Sequence, residues 1–349
     1  MRAGKILKRV LVVFSLLMAL AAVKSYNLYK RAFAPNVRVE TATNNIFFYI
    51  PTGSSFDSVL VDIERQGFIK NIKSFKWVAH RKNYENHVRP GRYLIKNRMS
   101  NNELVNLLRS GKQEPVDLTF NNLRTLEQFA GRVSQQLEFD SLNLLVLLRD
   151  TAVHQKYGLN KYTMACMFIP NTYEIYWNTS AEKFLDRMNA EYRKFWNRRR
   201  TVQAKQIGKT PEEVITLASI VNEETRMENE KKRVAGVYMN RLNKGMRLQA
   251  DPTVVFGIGD FSIRRVLKKH YQADSPYNTY KFTGLPPGPI CLPDISSIDA
   301  VLNYERHDYI YFCARPDFSG YHNFAKTLTE HNKNARAYQL QLNKRRIYN

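Results

Sequence analysis

TPEEVITLASIVNEET (Thr210–Thr225) and the segment NRLNKGMRLQADPTVVFG (Asn240–Gly257) are the places from which this 349-residue chain is best read. Thr210 is positioned to cap a helix, and Pro211 suits its first turn. Glu213, three residues past the cap, completes a capping box. At about 100° per residue, Val214, Leu217, Ala218, Val221 and Thr225 fall on one face, with Glu224 at its edge and Glu223 roughly opposite. The pattern predicts an amphipathic helix that turns Glu224 toward a pocket and Glu223 toward water. A lone carboxylic acid held against apolar surface stays protonated near neutral pH, as a general acid must. Periodicity alone fits two ordinary surface glutamates equally well.

Composition narrows the possibilities. With 44% hydrophobic and 12% aromatic residues the chain is folded, and its length allows two domains with cores of their own. Lys and Arg number 54 against 31 Asp and Glu, a net charge of +23. That excess suits an anionic partner: nucleic acid, an anionic membrane surface or an acidic polymer. The run Arg198–Arg200 reads as solvated surface or as a contact for such a partner. Cys166, Cys291 and Cys313 have no CxxC spacing, and three unpaired thiols are expected, one disulfide being the alternative. The seven histidines form no zinc-binding pattern. His322 and His331 are expected at the surface or hydrogen-bonded, and no metal is implied. No phosphate-binding loop or dinucleotide fingerprint is present, so no cofactor is expected.

Residues 1–9 form a basic flank, followed by the apolar run VLVVFSLLMALAAV (Val10–Val23). We read 10–29 as a retained single-pass anchor, with Lys24 snorkelling and Tyr26 and Tyr29 at the interface. A cleaved signal peptide is the rival reading, since Ala19, Ala21 and Ala22 are small. After a linker over 30–44, a compact βα unit is expected over 45–112. Strands are predicted at Phe47–Ile50 and Gly91–Ile95, helices at Ser55–Gln66 and Asn101–Arg109, and a short apolar element at Phe75–His80. Helices follow at Leu126–Leu137, Leu142–Asp150 and Ala181–Trp196, with a loop around Phe168–Trp177. Arg198–Lys209 reads as an exposed basic segment. Farther on, SPYNTY (Ser275–Tyr280) and GLPPGPI (Gly284–Ile290) are stiff loops fit to wall a cleft. Ile298–Leu302 reads as a short helix, Tyr309–Ala314 as a buried strand, and Phe324 onward as a closing basic helix.

Five ordered blocks, LASIVNEET, VYMNRLNKGMRLQADPTVVFG, SPYNTY, GLPPGPI and HNFAKTLTEHN, together resemble the endolytic murein transglycosylases, the MltG or YceG-like family. PTGSSF, GRY and LRSGK extend a weaker similarity to that family's LysM-like domain. The resemblance implies an α+β fold: an N-terminal membrane anchor, a small LysM-like βα module over 45–112, and a larger mixed α/β catalytic domain over 113–349. Two positions depart from the pattern. The family commonly reads IVEKET where this chain has IVNEET, so the first acid is Asn222 while Glu224 is kept. Its EGFLFPDTY-like loop appears here as ACMFIPNTY, without a carboxylate at Asn171.

The implied reaction cleaves the β-1,4 bond between N-acetylmuramic acid and N-acetylglucosamine within a glycan strand, without water, leaving a 1,6-anhydro end. Ordinary glycosidases use two carboxylates. Here the substrate's own 6-hydroxyl attacks, and Glu224 serves as both acid and base. Asn240, Arg241, Gln249 and Asp251 are expected to line the cleft; Asp251 also fits an Asp-Pro turn. Tyr277, Asn278 and Tyr280 are expected to stack on or bond sugars, a structural loop being the alternative. The implied partners are peptidoglycan strands, membrane lipid and cell-wall synthesis enzymes, with no nucleic acid. The implied location is the plasma (inner) membrane, with the catalytic domain outside the cytoplasm. The alternative is a catalytically degenerate, membrane-anchored glycan-binding protein.

Overall fold

A computed structural model describes residues 2–345 of the chain. They divide into two compact units: one runs up to Val116 and takes in Glu174–Asn178, and the other comprises Asp117–Tyr173 and Thr179 onward.

The first unit begins with a long helix, α1 (Arg2–Phe33). Within its segment Ile6–Phe33, an 18-residue stretch has a mean hydropathy of 2.3 and no buried residue, making α1 the one helix among the described residues long and apolar enough to cross a membrane. There follow β1 (Asn45–Ile50), α2 (Phe56–Gln66), α3 (Ile72–Arg81), β2 (Gly91–Lys96) and α4 (Asn101–Ser110). The short apolar element expected around Phe75 is therefore a full helix, begun by the Asn71 cap on Ser74 N. β1 and β2 pair antiparallel from Asn45↔Lys96 to Ile50↔Gly91. Their alternating Phe48, Ile50, Tyr93 and Ile95 meet Val59 and Ile63 of α2, Phe75 of α3 and Leu104 and Leu108 of α4 in one core. The span read as a linker, 30–44, is partly ordered into this unit. Helix α1 reaches Phe33, Val37 and Val39 are buried, and the Asn36 amide donates to Asn71 O and Asn101 Oδ1.

The second unit is mixed α and β with helices predominating: β3 (Val116–Thr119), α5 (Leu126–Ser134), α6 (Ser141–Arg149), α7 (Thr151–Tyr157), β4 (Thr172–Ile175), α8 (Ala181–Phe195), α9 (Arg198–Gln206), α10 (Pro211–Glu224), α11 (Glu228–Asn243), α12 (Asp251–Ile258), α13 (Ile295–Leu302), β5 (Tyr311–Ala314), β6 (His322–Ala325) and α14 (Leu328–Lys344). Three differences from the expected elements have local causes. The basic segment after Trp196 is helix α9, capped by Asn197, with Ala204 buried and Arg200 bound to Asp299 at 3.1 Å. The loop around Phe168–Trp177 contains strand β4. Phe324 lies in β6, and the closing helix starts only at the Thr327 capping box.

Helix α10 is the axis of this unit. Every residue from Val214 to Val221 is buried, so the helix is enclosed on all sides rather than amphipathic. α9, α11, α12 and α13 all pack on it. The Thr210–Glu213 capping box starts it as the sequence predicts, and extended backbone at Thr225 ends it. The Pro- and Gly-rich loops lean on the same axis: Ile290 N donates to Ser219 Oγ at 3.0 Å, and Gly288 lies so close to Tyr162 O that a Cβ would not fit.

Candidate active site

Glu224 is the last residue of α10, and the chain turns away at Thr225. Its half-buried carboxyl reaches a cavity of about 460 Å³. Tyr238, nearly three turns into the facing helix α11, donates its hydroxyl to Glu224 Oε1 at 2.7 Å. Burial pushes the Glu224 carboxyl from its ordinary 4.5 up to about 7; the Tyr238 bond opposes this, and the Asp251 and Glu223 charges add to it. A position at a helix C-terminus, where the backbone dipole disfavours an anion, acts in the same direction.

Arg241, Gln249, Asp251 and Tyr280 line this cavity with Glu224. The buried Arg241 guanidinium donates to Leu248 O at 2.6 Å and to Gln249 Oε1 at 2.9 Å. Gln249 sits in the left-handed backbone region, at φ 52°, a strained conformation held by Thr279 O on its N–H. Asp251 Oδ1 accepts the Tyr280 hydroxyl at 2.6 Å and the Tyr271 hydroxyl at 3.4 Å. It therefore orients hydroxyls, and it sits in the first turn of α12 without capping it.

Asn240, Tyr277 and Asn278 do not line the cavity. Asn240 Nδ2 donates to His307 O at 2.6 Å and Tyr309 O at 2.9 Å, tying α11 to the chain that leads into β5. Asn278 is fully buried and holds its loop through Tyr271 O and Ala273 O. Tyr277 packs against Phe256, ring centroids 4.6 Å apart. Tyr277 and Asn278 thus take the structural loop role given as their alternative, while Asn240, expected in the cleft, binds backbone carbonyls.

Glu223 does not face water either. Only 10% of its side chain is exposed, and it meets Arg124 Nη2 at 2.6 Å. Asn222 accepts from Asp294 N and Ser297 Oγ, both at 3.3 Å, and so serves packing. A second cavity, of about 700 Å³, also reaches Glu224 and is lined by Asn122, Arg124, Glu223, Met227 and His322. Tyr238 and Arg124 are site residues that the sequence reading missed. Tyr238 stands in the VYMNR block, and its 14-residue offset from Glu224 becomes a contact only because α10 and α11 pack together. Of the two histidines read as surface or hydrogen-bonded, His322 meets Glu230 at 2.9 Å, and the His331 ring stacks on Tyr311. Among the described residues no group of three or more His, Cys, Asp or Glu side chains is arranged to hold a metal ion.

The profile of the YceG-like family matches residues 48–337, which include Glu224 and both cavities. The chain belongs to this family. Among relatives of the chain, the endolytic murein transglycosylase of Bacillus subtilis (strain 168) is 29% identical over 322 residues, 88% of each chain. The endolytic murein transglycosylase of Streptococcus pneumoniae, in strains D39 and R6, is 31% identical over 299 residues, 76% of this chain and 53% of its own length. The chain thus spans about half the length of the pneumococcal proteins. The crystal structure of a yceG-like protein from Listeria monocytogenes aligns with a TM-score of 0.56 at 29% identity, covering 84% of this chain and 99% of that one.

Proposed function

We propose that this chain is a peptidoglycan lytic transglycosylase in which Glu224 is the single acid and base. The lytic transglycosylase activity follows from membership of the YceG-like family together with relatives named endolytic murein transglycosylase. The observation that carries the catalytic assignment is a carboxyl at a cavity wall, pushed up to about 7 and bonded on one oxygen by Tyr238. In the protonated acid the Tyr238 hydroxyl occupies Oε1 and leaves the other oxygen to carry the proton toward the glycosidic oxygen. As that bond breaks, positive charge develops at C1, and the Asp251 carboxylate across the cavity favours it. The 6-hydroxyl of N-acetylmuramic acid then attacks C1 and returns its proton to Glu224, closing the 1,6-anhydro ring. An attacking group held in the same molecule needs no second carboxylate to activate water.

Two cavities that meet at Glu224 suit a strand cut within its length rather than at an end. Helix α1 would hold the enzyme in the plasma membrane with its catalytic unit outside the cytoplasm, where its substrate is. The βα unit between β1 and α4 would serve as a LysM-like glycan-binding module, and cell-wall synthesis enzymes would be its partners. The decisive experiment incubates Glu224→Gln with uncross-linked glycan strands and analyses products by mass. A folded variant that makes no anhydro-ended fragments is the expected result. Undiminished cleavage by this variant would refute the assignment of Glu224. Hydrated reducing ends from the wild-type enzyme would make it a hydrolase, and wild-type protein that binds strands without cutting them would be a degenerate binder.

A further inference from the structure

The block HNFAKTLTEHN has no part in the chemistry above, yet it sets a histidine beside Glu224. Glu230, in the first turn of α11, is buried, with 5% of its side chain exposed. One residue takes both of its oxygens: Oε1 accepts the His322 backbone N–H at 3.0 Å, and Oε2 meets His322 Nδ1 at 2.9 Å. A carboxylate only accepts, so Nδ1 carries a proton, and in the neutral form of the ring the lone pair lies on Nε2. Phe312 packs edge-on against the ring at 5.3 Å. His322 lines both cavities that Glu224 lines, and among the described residues no protein group bonds Nε2. A buried carboxylate is a poor stabiliser, because its desolvation offsets what it gains from its partner. Devoted to a single imidazole ring, it fixes that ring's orientation and tautomer.

We propose that His322 Nε2 accepts a hydrogen bond from a hydroxyl of the sugar bound beside Glu224, with Glu230 fixing the ring's tautomer. This rests on the transglycosylase reading and adds a second substrate contact to it. Glu230→Gln tests it in the full-length enzyme, because the substitution preserves shape. The glutamine Oε1 still accepts the His322 backbone N–H, while its NH2 donates to Nδ1. The ring proton is thereby driven to Nε2, and an acceptor facing the cavity becomes a donor.

The expected results are a folded Glu230→Gln protein with kcat on uncross-linked strands lowered about tenfold, as the loss of one hydrogen bond implies, and ring-nitrogen chemical shifts of His322 that report the exchanged tautomer. His322→Gln, which retains an acceptor, should keep about tenfold more activity than His322→Ala. In the inactive Glu224→Gln background, adding His322→Ala should weaken strand binding. If both His322 variants and Glu230→Gln turn over strands within about twofold of wild type, the proposal falls and the role of Glu224 stands. Should Glu230→Gln fail to fold, equal activity of His322→Gln and His322→Ala overturns it. Full activity in Glu224→Gln would instead overturn the reading on which it rests.

Discussion

Glu224 carries its proton into the neutral range because water is largely excluded from it and a helix C-terminus lies behind it. Two outcomes follow for this carboxyl. In the proposed mechanism Glu224 acts as the protonated acid, so the rate of anhydro-product formation should fall as pH rises through about 7. Tyr238→Phe removes the bond that opposes the shift, so the alkaline midpoint should move upward, with a rate loss of about tenfold. Stability shows the complementary sign. The folded-state value lies above the unfolded one, so the carboxyl's favourable contribution is complete below pH 4.5 and lost as pH passes about 7. Glu224→Gln should therefore be more stable than wild type at pH 8, by about 1–3 kcal/mol after allowing for residual solvent contact, and no more stable at pH 4. Denaturant titration at the two pH values checks this.

At the level of helices and loops, the site is made by close approach around α10 and α11. Gly236 on α11 has no room for a Cβ, because Glu305 O and the His307 ring lie against it. Gly236→Ala should cost about 3 kcal/mol and move the chain leading into β5, which walls the cavity. Gly131 in α5 meets nothing within 4 Å, so Gly131→Ala should instead stabilise by about 0.5–1 kcal/mol. Thermal unfolding of the two variants separates the cases by sign. The start of α10 was legible in TPEE because a capping box is a local device. Its enclosure was signalled by VITLASIV, a run without a charge, yet the apolar stripe chosen by period alone left a face for water. That is why Glu223 was expected in solvent, although Arg124, 99 residues earlier, comes to meet it. Asn240 and Asn278 stand in the right blocks, but nothing in a block distinguishes an amide facing sugar from one holding backbone carbonyls.

Taken entire, the chain combines an apolar N-terminal helix, a small α and β unit and a larger unit containing the site. Deletion of residues 1–29 should move the protein from the membrane pellet to the soluble fraction and leave kcat on isolated strands unchanged. Retention in the pellet would count against α1 as the anchor. The sequence by itself determined what depends on near neighbours: the apolar length of α1, the strands β1 and β2, the cap of α10, and the stiffness of the Pro-rich loops. It also marked Glu224, through the ordered blocks that surround it. Only the tertiary structure decided which groups share the cavity with that acid. Tyr238, Asp251 and His322 come from three elements separated by up to 84 residues of chain (322 − 238). Their meeting depends on α11, α12 and the β5–β6 hairpin each burying its own apolar surface, which no local pattern records.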